Sequence, residues 1–155
     1  MQLTDAFLQP GEEGFAHLIR SVSIGKLKTY QVYEGFKVRA HLHKLNTETM
    51  RKAIPRFWSR LREDRDEEFA RDLAQAVLVS HLDMITDILS FLGIPNDGGF
   101  FSKDLNAKTY LTEGWPDRVF EHFREKYPRP VLLFYINHLT AELTEAEQPY
   151  APAEA

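Results

Sequence analysis

Three cations stand at four-residue steps in a segment with helical spacing. Lys52, Arg56 and Arg60 share one face of that helix, where like charges repel one another unless an anion lies opposite them. A phosphate backbone or an acidic protein could supply that anion. The carboxylates at residues 63–68 could also supply it from within the same chain. The ladder therefore predicts a nearby anion, and internal pairing is the interpretation that we favour.

The ladder belongs to a larger basic block. Residues 20–62 contain eleven Lys or Arg and two Glu, whereas the chain from Glu63 onward contains eight Lys or Arg and eighteen acids, and the whole chain has a net charge of −4. Together with Tyr30 and Tyr33, the block resembles the mixture of cations and stacking rings that binds single-stranded nucleic acid. A nucleic-acid site would use its cations: Lys26, Lys28, Lys37, Arg39, Lys52, Arg56 and Arg60.

Residues typical of catalysis are few. His81 lies on an apolar face of segment 66–92, where it is either a core histidine bonded to a backbone carbonyl or an acid or base in a pocket. Asp83 and Asp87 have a spacing that could hold a divalent cation, but they lie in a polar stripe that solvation explains. His138 is interpreted as structural or solvated. No phosphate loop or nucleophile elbow accompanies these residues, so we predict no catalytic residue, cofactor or metal, and we favour a non-enzymatic role.

Aromatic residues point to binding. Phe100 and Phe101 follow an Asp-Gly-Gly turn in the long connection 96–114, and they are either an exposed anchor or are tucked onto the core. Surplus aromatic side chains commonly line interaction grooves and oligomer interfaces. We therefore expect a protein–protein interaction module or a homo-oligomer. Nucleic-acid binding is the first alternative, and a small-molecule pocket or enzyme near His81 is the second.

Five segments with helical periodicity must position these groups. The strongest, residues 66–92, is expected to form a central helix about 40 Å long. Pro55 is expected to kink or restart the helix that contains it, because an interior proline removes a hydrogen bond. The other four segments are residues 12–22, 46–62, 115–127 and 130–145.

One segment allows two structures. Residues 27–43 alternate apolar and basic side chains, which indicates a β-hairpin, although a helix remains open as the alternative. The expected fold is mainly α, a single compact bundle of five or six helices in antiparallel pairs, with a basic hairpin near 27–43 under the first interpretation.

Composition sets the remaining expectations. Residues 1–147 are expected to form one helical domain, and residues 148–155 a flexible tail. The chain has no cysteine and no apolar run long enough to cross a bilayer, so we expect a cytoplasmic protein without a membrane partner.

Overall fold

The computed structural model describes residues 1–23, 26 and 47–153 of the chain, and it confirms the mainly helical fold. The described residues form seven α-helices, one 3-10 helix at Ala107–Tyr110, and no strand. Segment 27–43, predicted as a hairpin or a helix, lies outside the described residues. In chain order α1 spans Leu3–Leu8, α2 Gly11–Arg20, α3 Thr47–Arg62, α4 Glu67–Ser80, α5 Leu82–Phe91, α6 Trp115–Phe123 and α7 Arg129–Leu143.

Helix α7 lies at the centre of the fold, a place that the sequence had suggested for segment 66–92. Residues 131–137 are buried without interruption, and α7 packs against α1, α2 and α6. Leu132, Ile136 and Leu139 share one face of α7 and are buried, but so are Phe134 and Tyr135 on its other faces. A helix that is apolar on all sides can be buried all round. The predicted packing in antiparallel pairs stays a prediction.

Segment 66–92 is not one helix. It breaks at His81, whose φ of −132° and ψ of 37° are not helical, and α4 and α5 meet at an angle of 85°. Ser80 Oγ donates a hydrogen bond to the Ala76 carbonyl oxygen at 2.8 Å, a contact that often bends helices. Segment 66–92 has apolar side chains on two sides, and the bend allows α4 and α5 each to bury an apolar side in a different direction.

Two other helices differ from expectation at particular residues. Helix α3 continues through Pro55 as one element, so the helix does not restart there, and this proline is exposed. The short helix α1 was not predicted; the backbone N–H groups of Leu3 and Thr4 at its start donate to the Glu67 carboxylate on α4 at 2.8 and 2.9 Å. A carboxylate distant in sequence therefore caps a helix that is too short to show a periodic pattern.

Residues 148–153, here called the C-terminal strap, were predicted to be part of a flexible tail. In the structure Tyr150 donates its backbone N–H to Asn137 Oδ1 at 2.6 Å and accepts a hydrogen bond from Asn137 Nδ2 at 3.1 Å. Its hydroxyl donates to Asp117 at 2.7 Å. The strap is thereby attached to both α6 and α7.

Candidate functional site

An apolar groove lies between α4, α5 and α7. It has a volume of about 480 Å³ and is bordered on one side by residues 99–101 of the long connection. Cavities of roughly 300–1,000 Å³ are typical of sites for small organic ligands. Its main apolar lining residues are Leu78, Val79, Leu82, Ile85, Leu139 and Leu143.

The helix break at His81 builds two walls of this groove. Residues Leu78 and Leu82 stand on either side of the break and both line the groove. A straight helix would carry α5 along the axis of α4, whereas the 85° bend turns it across the end of α4. The groove thus follows from a backbone irregularity that helical periodicity did not show.

A tight turn forms the third border of the groove. Asn96 Oδ1 accepts the backbone N–H of Gly99 at 3.1 Å, and Asp97 and Phe100 exchange two backbone hydrogen bonds of 2.7 and 3.1 Å. Gly99 has φ +98°, and a Cβ there would lie 3.3 Å from Leu82 Cδ2. A side chain at this position would therefore be strained and would press on α5.

The two aromatic residues after this turn have different surroundings. Phe100 is 59% exposed at the edge of the groove, while Phe101 packs against the core. Of the two arrangements expected for these residues, Phe100 has the exposed one and Phe101 is tucked onto the core. Only Phe100 is available as an exposed anchor.

The groove carries charge at its rim and neutral polar groups deeper inside. Arg71, Gln75 and Glu142 line it with exposed side chains. Deeper in, burial lowers the pKa of His138 to about 4 and raises the pKa of Tyr135 above its ordinary range. Both rings are therefore uncharged at neutral pH, and the interior of the groove has no formal charge.

His138 has an incomplete set of hydrogen bonds. Its Nδ1 is sealed from solvent and has no partner in the described part of the chain, whereas Nε2 is not sealed. A buried N–H without a partner is rarer in proteins than a buried acceptor without one. We therefore assign the proton of the neutral ring to Nε2, which makes His138 a hydrogen-bond donor in the groove.

His138 was not predicted as a site residue, because its position in the sequence was interpreted as structural or solvated. The available signal was weak: His138 stands directly beside Leu139 and three residues after Tyr135, both of which also line the groove. Helical periodicity shows that these residues share a face of α7, but it does not show whether that face packs against the core or lines a cavity.

His81, the predicted pocket residue, is not in this groove. Its Nε2 lies 2.8 Å from Ser21 Oγ at the end of α2, and burial lowers its pKa. Ser21 Oγ also lies 2.5 Å from the Leu18 carbonyl oxygen, to which its hydroxyl donates. Nε2–H of His81 then donates to Ser21, so His81 does not take a proton from the Ser21 hydroxyl. A second pocket of about 350 Å³ adjoins His81 and Tyr127.

The predicted basic ladder is paired internally at one position. Arg60 bonds the Asp66 carboxylate at 2.8 Å, and a hydrogen bond from the Phe69 backbone N–H, followed by the bonds from Arg60, lowers the pKa of Asp66. Among the described residues Lys52 pairs with Glu48, at 3.6 Å on the same helix. Arg56 is exposed and has no carboxylate within 4 Å among the described residues.

The other predicted cations contribute little to the described structure. Lys26 is exposed. Lys28, Lys37 and Arg39 lie outside the described residues.

Asp83 and Asp87, interpreted from sequence as part of a solvated polar stripe, have different contacts. Asp87 accepts hydrogen bonds from Lys126, at 2.8 Å, and from the Tyr127 hydroxyl, and these bonds lower its pKa. Asp83 is exposed. Among the described residues no group of three or more His, Asp or Glu could hold a metal ion.

In the described part of the chain, no single helix is long and apolar enough to cross a membrane; α4 and α5 reach that length and composition only together, across their 85° bend. The chain matches no protein-family model, no curated protein and no solved structure.

Proposed function

We propose that this protein is a non-enzymatic binding protein whose groove takes an uncharged small molecule with an apolar body and a hydrogen-bond acceptor. The observation that carries the proposal is the groove itself, a space of about 480 Å³ with apolar walls and the neutral ring of His138 among its lining residues. Spaces of this size and lining are typical of sites for small organic ligands. A ligand carbonyl could accept the Nε2–H of His138, which is not the sealed nitrogen of the ring.

The charge of the groove supports an uncharged ligand. Its interior rings are neutral, and the two rim charges, Arg71 and Glu142, have opposite signs. An ionised carboxylate would lose its hydration without gaining a buried cation in return. A ketone, ester or amide would lose far less, and its oxygen could accept the Nε2–H of His138.

The exposed ring of Phe100 supports a second candidate, the protein–protein interaction module expected from sequence. A large aromatic side chain at the edge of a groove is typical of interface residues that contribute strongly to binding. In that case an apolar side chain of a partner, or of a second copy, would occupy the groove.

A titration with Nile red, an uncharged apolar dye with a carbonyl oxygen, tests the first function. The groove variant Leu78→Trp places an indole against the walls, and the matched control Leu111→Trp makes the same change at a half-buried leucine outside the lining. We expect saturable binding to the natural protein and to the control, and at least about tenfold weaker binding to Leu78→Trp, because the ring fills the space. Loss of one hydrogen bond in His138→Leu should weaken binding about five- to tenfold.

Equal weakening by the two tryptophan variants, or no saturable binding to the natural protein, would overturn the small-molecule proposal. Circular dichroism checks that each variant is folded. Sedimentation equilibrium at the same concentrations tests the second candidate: a dimer that dissociates in Phe100→Ser would show that a second copy of the chain occupies this region.

A further inference from the structure

The solvent-facing side of α3 carries a row of cations. Arg51, Lys52, Arg56 and Arg62 are all exposed, and Pro55 and Ser59 lie between them on the same face. At 100° per residue these side chains fall within a sector of roughly 140°. From Arg51 to Arg62 the row extends about 16 Å along the helix axis.

The described part of the chain neutralises little of this row. Among the described residues, Arg51, Arg56 and Arg62 have no carboxylate within 4 Å, and the one ion pair of Lys52, with Glu48, is 78 and 77% exposed. Such exposed pairs contribute little to stability. Glu48 and Glu63 stand at the two ends of the face, so the cations occupy its middle. The cations of the row repel one another, which destabilises the folded protein, and a bound external anion would reduce that repulsion.

The composition of this face favours phosphate over an acidic protein. Its exposed members between residues 51 and 62 are Arg, Lys, Ser and Pro, with no large apolar side chain. Protein interfaces usually have an apolar or aromatic centre. Contacts to a nucleic-acid backbone come instead from Arg, Lys and hydroxyl groups, and the guanidinium group matches phosphate in geometry.

We propose that the exposed face of α3 binds the phosphate backbone of a nucleic acid. This site is separate from the groove and does not depend on it. The protein as a whole has a net charge of −4, so attraction is confined to the basic block and orients the nucleic acid on it.

Fluorescence anisotropy with a labelled 20-nucleotide single-stranded RNA and a DNA duplex of the same length tests the proposal at 50 and 200 mM salt. Neutralising four phosphates on a single strand gives a slope of about −2.8, so affinity should fall about 50-fold over this range. The double variant Arg51→Gln/Arg56→Gln keeps two cations of the row, so its affinity should fall only about sevenfold between 50 and 200 mM salt.

The matched control is Lys103→Gln/Lys108→Gln, which also removes two exposed cations and brings the net charge from −4 to −6. It should bind as the natural protein does. The proposal is wrong if neither nucleic acid binds at 50 mM salt, if the two double variants weaken binding equally, or if only a polyglutamate chain binds. Because all four positions are exposed, thermal unfolding should show both double variants folded.

Discussion

Asn137 and His138 are neighbours on α7, yet their hydrogen bonding differs completely. Asn137 is fully buried, and its amide makes three hydrogen bonds, to the Leu133 carbonyl oxygen at 3.2 Å and to both backbone groups of Tyr150. His138 lines the groove, and its buried Nδ1 has no partner in the described chain. The chain thus satisfies one side of α7 from its own strap and leaves the other side incomplete.

This difference shows how to separate structural from functional polar residues without homologous sequences. A buried polar group whose partners come from the same chain is explained by stability alone. His138 is different, because its sealed Nδ1 costs stability and its other nitrogen, Nε2, is left for a group outside the described chain. We infer that the strap side of α7 is explained by folding, and that the groove side is where a ligand would bind.

The largest effect is expected on the strap side, from Asn137→Ala. The change removes three hydrogen bonds and leaves both backbone groups of Tyr150 unpaired, so the free energy of unfolding should fall by about 2–4 kcal/mol. His138→Leu should stay within about 1 kcal/mol of the natural protein at pH 8, because it removes a group that is already unpaired. Urea denaturation measures both, and similar losses for the two variants would contradict the comparison.

The next effect is a pH dependence on the groove side. His138 has a pKa of about 4 in the fold and an ordinary value of 6.5, so the unfolded chain takes up the proton first as pH falls. The stability that the neutral ring contributes is fully present above pH 6.5, is lost between pH 6.5 and 4, and does not change further below pH 4.

Between pH 7.5 and 4.5, the natural protein should lose on the order of 2 kcal/mol more stability than His138→Leu does. Both proteins keep His81, whose pKa is also lowered by burial, so the difference between them isolates His138. Urea denaturation across this range gives the measurement. Parallel pH profiles would mean that the ring is not buried as a neutral group.

A smaller loss is expected in the turn that borders the groove. Gly99→Ala adds a methyl group to a left-handed residue and places it 3.3 Å from Leu82 and Thr86, so thermal unfolding should show a loss of about 1–2 kcal/mol. Gly98→Ala is the control, since it shares a positive φ but has no atom within 4 Å of the added carbon. The control should lose less. A reversed order would mean that the turn is not held against α5.

The smallest effects are expected on α3, away from both sides of α7. Arg60→Gln should cost about 0.5–1 kcal/mol, because it removes the half-buried bond to Asp66. Arg56→Gln should leave the melting temperature nearly unchanged. A clear loss from Arg56→Gln would restore the internal pairing that the sequence suggested and would remove the ground for a phosphate site.

The sequence predicts the helices that have a long periodic face. Helix α3 was expected over residues 46–62 and is found at Thr47–Arg62, because its apolar side chains repeat at helical spacing within the segment itself. The break at His81 was not predictable, since periodicity continues across it and the bend depends on Ser80 and on neighbours that lie far away in sequence. Helix α1 was missed because it is too short to show a period. Asp5 accepts the Gln2 backbone N–H within the segment, but the N–H groups of Leu3 and Thr4 are bonded by Glu67 of α4.

The candidate site was only partly predictable. Phe100 and Phe101 were identified from turn chemistry and aromatic content, and both line the groove. The groove itself is a space between three helices and a turn, and no local pattern encodes such a space. Whether a histidine such as His138 is solvated or neutral depends on how those elements pack.

The bonds between Asn137 and Tyr150 also affect where the folded chain can be cut. A protease must draw an extended stretch of backbone into its active site, and the backbone N–H, backbone carbonyl and hydroxyl of Tyr150 are all bonded to α6 or α7. We therefore expect the strap to resist limited proteolysis in the natural protein and to be cut sooner in Asn137→Ala, with the helical part of the chain left intact in both. Equal rates of cutting at the strap would argue that these bonds do not hold it in solution.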